Sequence, residues 1–300
     1  MPTWWPGWIT RAPAADWLMG ARFDTADVRR YYDRHTASFV RFGQGHGSIH
    51  RAVWGPGTQT RDQAFHYVDD RIAALVEPYV VSSPDVHVVD LGCGVGASLC
   101  YLAKRLPIRG TGITLSPAQA VMARHAVQAA ALEGKVECLE GDYCDLPGTV
   151  AQADVAYAIE SFVHGPDAAR FFDQCRRLVK PGGLLVICDD VKRGGASPEA
   201  RRRIEEFTSG WHINTLLDRG TLATMAAGAG FEHQSATDLT PLLEIHRLRD
   251  RAIAAGLTLL RWMRVDSRRF DSIVGGSALQ TCLANGWIGY ELNVFTRPAD

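Results

Sequence analysis

Between residues 86 and 190 the chain alternates short apolar, β-branched runs with stretches of helical periodicity. The apolar runs predict strands over His87–Leu91, Gly110–Thr114, Lys135–Glu140, Ala153–Ile159 and Gly183–Asp189. The stretches between them predict helices over Ala97–Arg105, Pro117–Leu132 and Asp167–Leu178. Strands and helices that alternate at this spacing predict an α/β fold with a parallel sheet flanked by helices on both faces.

The flanking regions are mainly helical by pattern. Apolar positions recur at helical spacing over Asp24–Phe39, Thr60–Val76, Arg219–Ala229, Arg247–Trp262 and Ser277–Ala284. Tyr290–Phe295 alternates apolar and polar residues, which predicts a last strand. We expect residues 1–80 to form an N-terminal helical cover. We expect residues 81–300 to form the main domain, with a helical lid insertion at about 195–220 and 245–285.

Composition narrows the classes of partner. The net charge is -1, so no overall field favours nucleic acid or an anionic membrane. No apolar run reaches the length of a membrane span, and the seven cysteines form no zinc-type spacing, so no metal site is predicted. We expect a cytoplasmic protein with a small-molecule substrate. The tryptophans at positions 4, 5 and 8 would pack on the domain or on a partner chain, which leaves a homo-oligomer open.

The segment Val88–Gly96 predicts a ligand-binding loop. It runs from an apolar strand into glycines at positions 92, 94 and 96, and then into a helix. Glycines let the backbone turn sharply and approach a ligand closely. The loop reads GxGxG rather than the GxGxxG of dinucleotide sites. Asp90 precedes it and would either meet a cationic ligand or orient the loop. After the third strand, Asp142 could accept a hydrogen bond from an adenine amino group, and Tyr143 could cover the ring.

The order of these pieces, with Lys180-Pro-Gly-Gly183 before the fifth strand, resembles the class I S-adenosylmethionine-dependent methyltransferases over about residues 60–190. The resemblance implies a Rossmann-like, seven-stranded, mostly parallel sheet with a helical cover from both ends of the chain. It also implies S-adenosylmethionine as cofactor, with Gly92, Gly94 and Gly96 beside its methionine part, Asp90 near its amino group and Asp142 at adenine. Many family members carry an acid for the ribose after the second strand. Here Thr114 stands there, with Gln119 one helical turn further on, and the resemblance assigns ribose binding to these two residues.

A second resemblance concerns the acceptor. The segments Tyr31-Tyr-Asp33, Ala158-Ile-Glu-Ser161 with His164, and Trp211-His-Ile-Asn214 resemble sterol and prenyl diphosphate C-methyltransferases. This implies methylation of an alkene carbon in an isoprenoid, such as geranyl or farnesyl diphosphate or another terpenoid. The alkene would attack the methyl group, and the resulting carbocation would lose a proton. Glu160, next to the cofactor, would stabilise the cation and act as base. His164 and Tyr32 are further candidates for proton transfer.

The predicted acceptor pocket combines aromatic and basic residues. Aromatic faces stabilise cations, and the predicted lining includes Tyr31, Trp54, Phe162 and Trp211. A diphosphate needs an anion site, for which the candidates are His46, His50, Arg51 and Arg247. A Mg2+ ion could bridge to the diphosphate, although no carboxylate cluster in the sequence demands one.

Several alternatives stay open at this point. Glu160 could cap the following turn, and His46 and His50 could be ordinary loop residues. The enzyme could instead be an O- or N-methyltransferase of a small natural product, with His164 or His46 as base. It could also be a cyclase that binds the cofactor without methylating. Aromatic walls around a lone carboxylate would favour the carbocation, whereas a histidine aimed at the methyl group would favour a heteroatom.

Overall fold

Seven strands form one mixed sheet. The computed structural model describes residues 22–42, 50–245, 247, 256 and 271–299. The strands are β1 (Val86–Leu91), β2 (Ile108–Thr114), β3 (Val136–Glu140), β4 (Ala153–Ile159), β5 (Val179–Lys192), β6 (Glu232–Asp238) and β7 (Ile288–Thr296). They lie in the order β3-β2-β1-β4-β5-β7-β6. The pairs from β3 to β5 are parallel, and β7 runs antiparallel to β5 and β6. The predicted Rossmann-like, mostly parallel sheet is confirmed.

Helices flank this sheet. In the described ranges they are α1 (Thr25–Phe42), α2 (Arg61–Ser82), α3 (Ala97–Arg105), α4 (Pro117–Ala129), α5 (Ala168–Leu178), α6 (Pro198–Gly210), α7 (Arg219–Gly228) and α8 (Asp271–Ala284). Local sequence sets where several of them start. Thr60 forms a capping box with Gln63 at α2, and Ser116, Asp167 and Asp218 accept hydrogen bonds from the first turns of α4, α5 and α7.

The sheet has a packed core on each face, which explains why its central strands read as continuous apolar runs. On one face, Ala156 of β4 packs in the same cluster as Phe171 of α5. On the other face, Val155 packs in a cluster with Ile72 of α2 and Leu99 of α3. Consecutive residues of β4 are therefore buried on opposite sides.

The pattern of apolar residues did not reveal β6. Its sequence, Glu232-His-Gln-Ser-Ala-Thr-Asp238, is exposed along almost its whole length and contains no large apolar residue. The strand lies at the edge of the sheet and is held by its backbone pairing with β7. Because neither face of β6 packs on the core, the alternation that predicts a strand is absent.

Several boundaries differ from the sequence prediction, and three of them are informative. Helix α4 ends at Ala129 rather than Leu132, because Ala131 adopts a φ of 55°. The turn predicted at Lys180–Gly183 is an irregularity inside β5, where the register with β4 shifts. Helix α2 continues to Ser82, past the predicted limit of the N-terminal cover at residue 80.

Other sequence predictions fall on regions with little or no structural description. Apart from Arg247 and Gly256, the helix predicted over residues 247–262 lies outside the described residues. His46 also lies outside them. No helix in the described ranges combines the length and apolarity needed to cross a membrane.

Candidate active site

A cavity of about 630 Å³ opens where the parallel strands end. This is the edge at which open α/β sheets bind ligands. Many residues predicted from the sequence line it, namely Tyr31, Tyr32, His50, Arg51, Gly92, Gly94, Thr114, Gln119, Asp142, Tyr143, Glu160, His164, Trp211 and Arg247. Four predicted residues do not line it, namely Trp54, Asp90, Gly96 and Phe162.

The glycine loop forms a cradle at one end of the cavity. Gly92 has a φ of 101°, and a Cβ placed on it would lie 2.3 Å from Cβ of Ser161. Ser161 is fixed there by donating a hydrogen bond to the carbonyl of Leu91 at 2.5 Å. Gly94 also has a positive φ, of 54°. Gly96 instead begins α3 and packs on Ala123, so its role is to start the helix rather than to face the cavity.

Asp90 is held below the loop. Its carboxylate accepts a hydrogen bond from the Tyr157 hydroxyl at 3.0 Å. Burial raises the pKa of Asp90 well above its usual range. Because it is buried and does not line the cavity, the structure does not place it beside a cofactor amino group. Of the two roles left open by the sequence, its bond to Tyr157 favours support of the loop by joining β1 to β4.

Thr114 and Gln119 form a buried chain of hydrogen bonds. The Thr114 hydroxyl donates to Oε1 of Gln119 at 2.8 Å, and Nε2 of Gln119 donates to the Thr36 hydroxyl at 3.1 Å. These bonds fix the orientation of the Gln119 amide. Helix α1 makes a second contact nearby, where Ser116 donates to Asp33 at 2.5 Å. The two residues predicted to hold ribose are thus positioned by each other and by α1.

Asp142 and Tyr143 form the next part of the wall. Oδ1 of Asp142 accepts a hydrogen bond from the backbone N–H of Cys144 at 2.8 Å, while the one partner of Oδ2 among the described residues is the Thr25 hydroxyl, at 3.4 Å. Oδ2 therefore retains capacity to accept a donor such as an amino group. The Tyr143 hydroxyl donates to the carbonyl of Ser161 at 2.7 Å, which fixes the ring against the cavity.

These residues fit S-adenosylmethionine. A Cβ on Gly92 would collide with Ser161, so the cradle requires glycine there. The same cavity offers an amide, a hydroxyl and a carboxylate oxygen at Gln119, Thr114 and Asp142. Such donors and acceptors match the groups of S-adenosylmethionine, namely its amino-acid end, two ribose hydroxyls and the adenine amino group. In contrast, no three His, Cys, Asp or Glu side chains of the described ranges converge as metal ligands. The described residues therefore form no metal site made of protein ligands alone.

Glu160 directly follows β4 and has an unusual backbone conformation. Its φ is 49°, in the left-handed region that few residues other than glycine adopt. Oε1 accepts hydrogen bonds from the backbone N–H of Arg51 and from the Tyr290 hydroxyl, both at 2.9 Å. Oε2 lies 3.7 Å from Nε of Arg51. Glu160 is thus anchored through one oxygen, and Oε2 is the less engaged of the two.

Arg51, which the sequence predicts as an anion ligand, is held in an ion pair. Its two terminal nitrogens donate to the two carboxylate oxygens of Asp190, each at 2.7 Å, and its guanidinium lies 4.7 Å from the Tyr290 ring centroid. This fork-to-fork geometry engages both terminal nitrogens of Arg51 with a carboxylate and neutralises much of its charge.

The other predicted anion ligands do not join Arg51. Nε2 of His50 lies 2.7 Å from the Ser98 hydroxyl. Arg247 pairs with Glu244 at 3.2 Å. The described residues therefore do not assemble a common anion site, and His46 lies outside them.

Asp189 is a cavity residue that the sequence reasoning missed. It is buried and accepts hydrogen bonds from the backbone N–H groups of Val163 at 3.2 Å and Asp190 at 2.8 Å. Burial raises its pKa well above the usual range. The sequence contains a signal for this residue, since Asp189 and Asp190 follow the apolar run of β5, and β5 pairs with β4, the strand that leads to Glu160. Tyr290 gave no such signal, because only the pairing of β5 with β7 brings it to the site.

His164 is positioned as a neutral imidazole. Nδ1 lies 3.2 Å from the carbonyl of His212, so the ring proton belongs on Nδ1 and Nε2 carries the lone pair. Burial lowers the pKa of His164 to about 4. The Tyr32 ring meets it edge-on at 5.3 Å, and burial raises the pKa of Tyr32, which keeps the phenol protonated. His212 has a φ of 54° and lies against the rings of Phe23 and Tyr31.

The predicted aromatic residues separate into cavity and core. Trp211 lines the cavity and is fixed by its Nε1 donating to the carbonyl of Ser272 at 2.9 Å. Phe162 points into the core, where its ring lies 4.9 Å from that of Phe171. Trp54 packs on the small cluster around Phe65. Phe162 and Trp54 are therefore packing residues rather than pocket residues.

Known proteins share this architecture. Residues 89–187 match the family model of the methyltransferase domain. The chain is 31% identical to the O-methyltransferase resE of Aspergillus sclerotiorum, over 71% of this chain and 79% of that protein. It is 27% identical to the (+)-O-methylkolavelool synthase of Herpetosiphon aurantiacus, over 73% of this chain and 75% of that protein. The geranyl diphosphate C-methyltransferase of Streptomyces coelicolor superposes with a TM-score of 0.65 at 19% identity, covering 96% of this chain and 100% of that one.

The fold, the glycine cradle and these similarities define a class I S-adenosylmethionine-dependent methyltransferase. The chain belongs to the methyltransferase family. The prediction made from the glycine loop and the order of the strands is confirmed at this level.

Proposed function

We propose that this enzyme methylates a hydroxyl oxygen of an uncharged, largely apolar natural product of the terpenoid type. The observation that carries the proposal is His164, a neutral imidazole beside the cofactor cradle whose Nδ1 is taken up by the His212 carbonyl. The remaining nitrogen has the lone pair that a base for a hydroxyl requires. Two relatives, named as an O-methyltransferase and as an O-methylkolavelool synthase, support oxygen as the acceptor.

The charges around the acceptor end support an uncharged substrate. Glu160, Asp189 and Asp190 lie there, and the nearby cation, Arg51, is held by Asp190 through both terminal nitrogens. A diphosphate entering this part of the cavity would meet carboxylates before any unpaired cation of the described residues. No cation of the described residues would compensate the loss of water around the diphosphate there, and this loss costs roughly several kcal/mol per buried charge.

The residues suggest a division of labour in the reaction. When bound, S-adenosylmethionine supplies an electrophilic methyl group. His164 would take the hydroxyl proton at Nε2 while His212 holds its Nδ1–H. The charge of the nearby Glu160 carboxylate opposes the effect of burial by raising the pKa of His164. The same charge would stabilise the imidazolium that forms. Helix α1, from the proposed N-terminal cover, would order the cofactor end through Thr36 and Asp33.

A second candidate is methylation of an alkene carbon, as the second resemblance predicts. It is favoured by Oε2 of Glu160, which is weakly engaged, and by the aromatic side chains of Tyr31, Tyr32 and Trp211 in the same cavity. Aromatic faces and a carboxylate together would stabilise a carbocation. The two candidates differ in whether the acceptor needs a hydroxyl.

A matched pair of acceptors tests this difference. The enzyme is incubated with methyl-labelled S-adenosylmethionine and either geranylgeraniol or its methyl ether, which keeps every alkene but has no hydroxyl. Under the main proposal, label enters the alcohol alone. Label in the ether, or in geranyl diphosphate added as a third acceptor, would contradict it and support the alkene candidate.

Variants test the base. His164→Gln should lower kcat by at least about a hundred-fold, the typical contribution of a general base, while the affinity for S-adenosylhomocysteine stays unchanged. His125→Gln, at an exposed position of α4, is the matched control and should keep full activity. Equal losses in kcat and cofactor affinity for His164→Gln would indicate a structural residue.

A further inference from the structure

Two adjacent glycines of α8, Gly275 and Gly276, have different surroundings. A Cβ on Gly275 would lie 2.8 Å from Cδ1 of Trp211 and 3.1 Å from Cα of Gly210. The close packing of α8 on α6 therefore requires glycine at 275. Among the described residues, the nearest neighbour of a Cβ on Gly276 would be Cζ2 of Trp211, at 3.5 Å, which is ordinary van der Waals contact.

Nothing in the described part of the fold thus requires glycine at position 276. Its φ is not in the left-handed region, so a larger residue would not strain the backbone. Glycine is also among the least favourable residues inside a helix, because the unfolded chain gains the most freedom there. Glycine at position 276 therefore destabilises the helix without a packing reason among the described residues, and another explanation is needed. Gly276 lines the cavity beside Trp211.

We propose that Gly276 determines which acceptors fit, by leaving room over the Trp211 indole for the bulk of a long or polycyclic isoprenoid. The position is appropriate for this role. Trp211 and the proposed base His164 line the same cavity, and Trp211 precedes His212, whose carbonyl holds His164. Leu279 and Leu283 continue the same wall of the cavity with apolar surface. The inference rests on the proposed function, since it names the size class of that acceptor.

Binding measurements test the inference without requiring turnover. The affinities of geraniol and geranylgeraniol are measured by calorimetry in the presence of S-adenosylhomocysteine, for the wild type, Gly276→Ala and Gly276→Val. The valine side chain would displace about two methylene groups of a long acceptor, which corresponds to roughly ten-fold in affinity. We expect that loss for geranylgeraniol in Gly276→Val, a smaller loss in Gly276→Ala, and less than about two-fold change for geraniol.

Stability separates this role from a structural one. Gly228→Ala, at a helix position where a Cβ would meet nothing within 4 Å, is the control. If Gly276 is needed by the cavity alone, Gly276→Ala should raise the melting temperature as Gly228→Ala does.

Three outcomes would overturn the inference. They are a lower melting temperature for Gly276→Ala, an equal loss of both alcohols in Gly276→Val, and no binding of either alcohol to the wild type. Selective loss of geranylgeraniol binding would support it even if the label experiment showed methylation at carbon. Failure of the proposed oxygen chemistry and failure of this inference are therefore distinguishable.

Discussion

The ion pair between Arg51 and Asp190 allows a prediction whose size follows from the geometry. Arg51→Gln removes two charge-assisted hydrogen bonds of 2.7 Å and leaves the Asp190 side chain, which is 1% exposed, without its cation. Removing one partner of a buried pair costs about 3–5 kcal/mol, because the remaining charge stays desolvated. Arg51 also donates its backbone N–H to Glu160, and this bond survives the substitution. We therefore expect the free energy of unfolding to fall by about 4 kcal/mol.

Urea unfolding at neutral pH, followed by circular dichroism, measures this loss. Arg109→Gln is the matched control, since its pair with Asp85 is 51% and 68% exposed and should contribute less than about 1 kcal/mol. Adding Asp190→Asn to Arg51→Gln removes the stranded charge, so the double variant should recover about half of the loss.

Three results would refute the reasoning. The first is a loss no larger than that of the Arg109 control, and the second is no recovery in the double variant. The third is measurable binding of inorganic pyrophosphate to the wild type that disappears in Arg51→Gln. That result would show that Arg51 is available to an anion, as the sequence alone predicted.

Two further predictions concern the cradle and the proposed base. Gly92→Ala should weaken S-adenosylhomocysteine binding at least about ten-fold in calorimetry, because the Cβ meets Ser161 and φ is unfavourable for alanine. Gly148→Ala, which meets nothing within 4 Å, should not change it, and equal affinities for the two variants would contradict the prediction. For His164, the folded-state pKa of about 4 lies below the ordinary 6.5, so the unfolded chain binds the proton first as pH falls. Stability should therefore drop by about 3 kcal/mol between pH 6.5 and 4, and His164→Gln should flatten this part of the curve in urea titrations.

Much of the fold was predictable because its signals are local. Strand β4 was predicted with its observed limits, since both of its faces are buried and its sequence is apolar except for Asp154. The glycine loop was found because its backbone conformations restrict the residue type. Strand β6 was missed because an exposed edge strand imposes no alternation. The end of α4 was misplaced because Ala131 is not a residue type that usually marks a left-handed turn.

Site residues were predictable only where their position at the end of a strand places them at the cavity. Thr114 ends β2 and Glu160 directly follows β4, the two parallel strands on either side of β1, so their arrival at the cavity follows from topology. The state of Arg51 does not follow from topology, because its partner lies 139 residues away. A sequence shows that a guanidinium is present but not whether a carboxylate already holds it. The orientation of Phe162 was equally inaccessible, since a short turn can aim a ring at the cavity or at the core.

The left-handed backbones of Glu160 and His212 have a consequence for engineering. A non-glycine residue in the left-handed region carries about 1 kcal/mol of backbone strain. The carbonyl of His212 contacts the proposed base His164, and Glu160 lines the acceptor end of the cavity. Substituting glycine at either position would relax the backbone but would also remove Glu160's carboxylate or the ring of His212 that lies against Tyr31. Selection for heat resistance alone would therefore tend to erode activity at these two positions, so a thermostable variant is better sought on the outer surfaces of the helices.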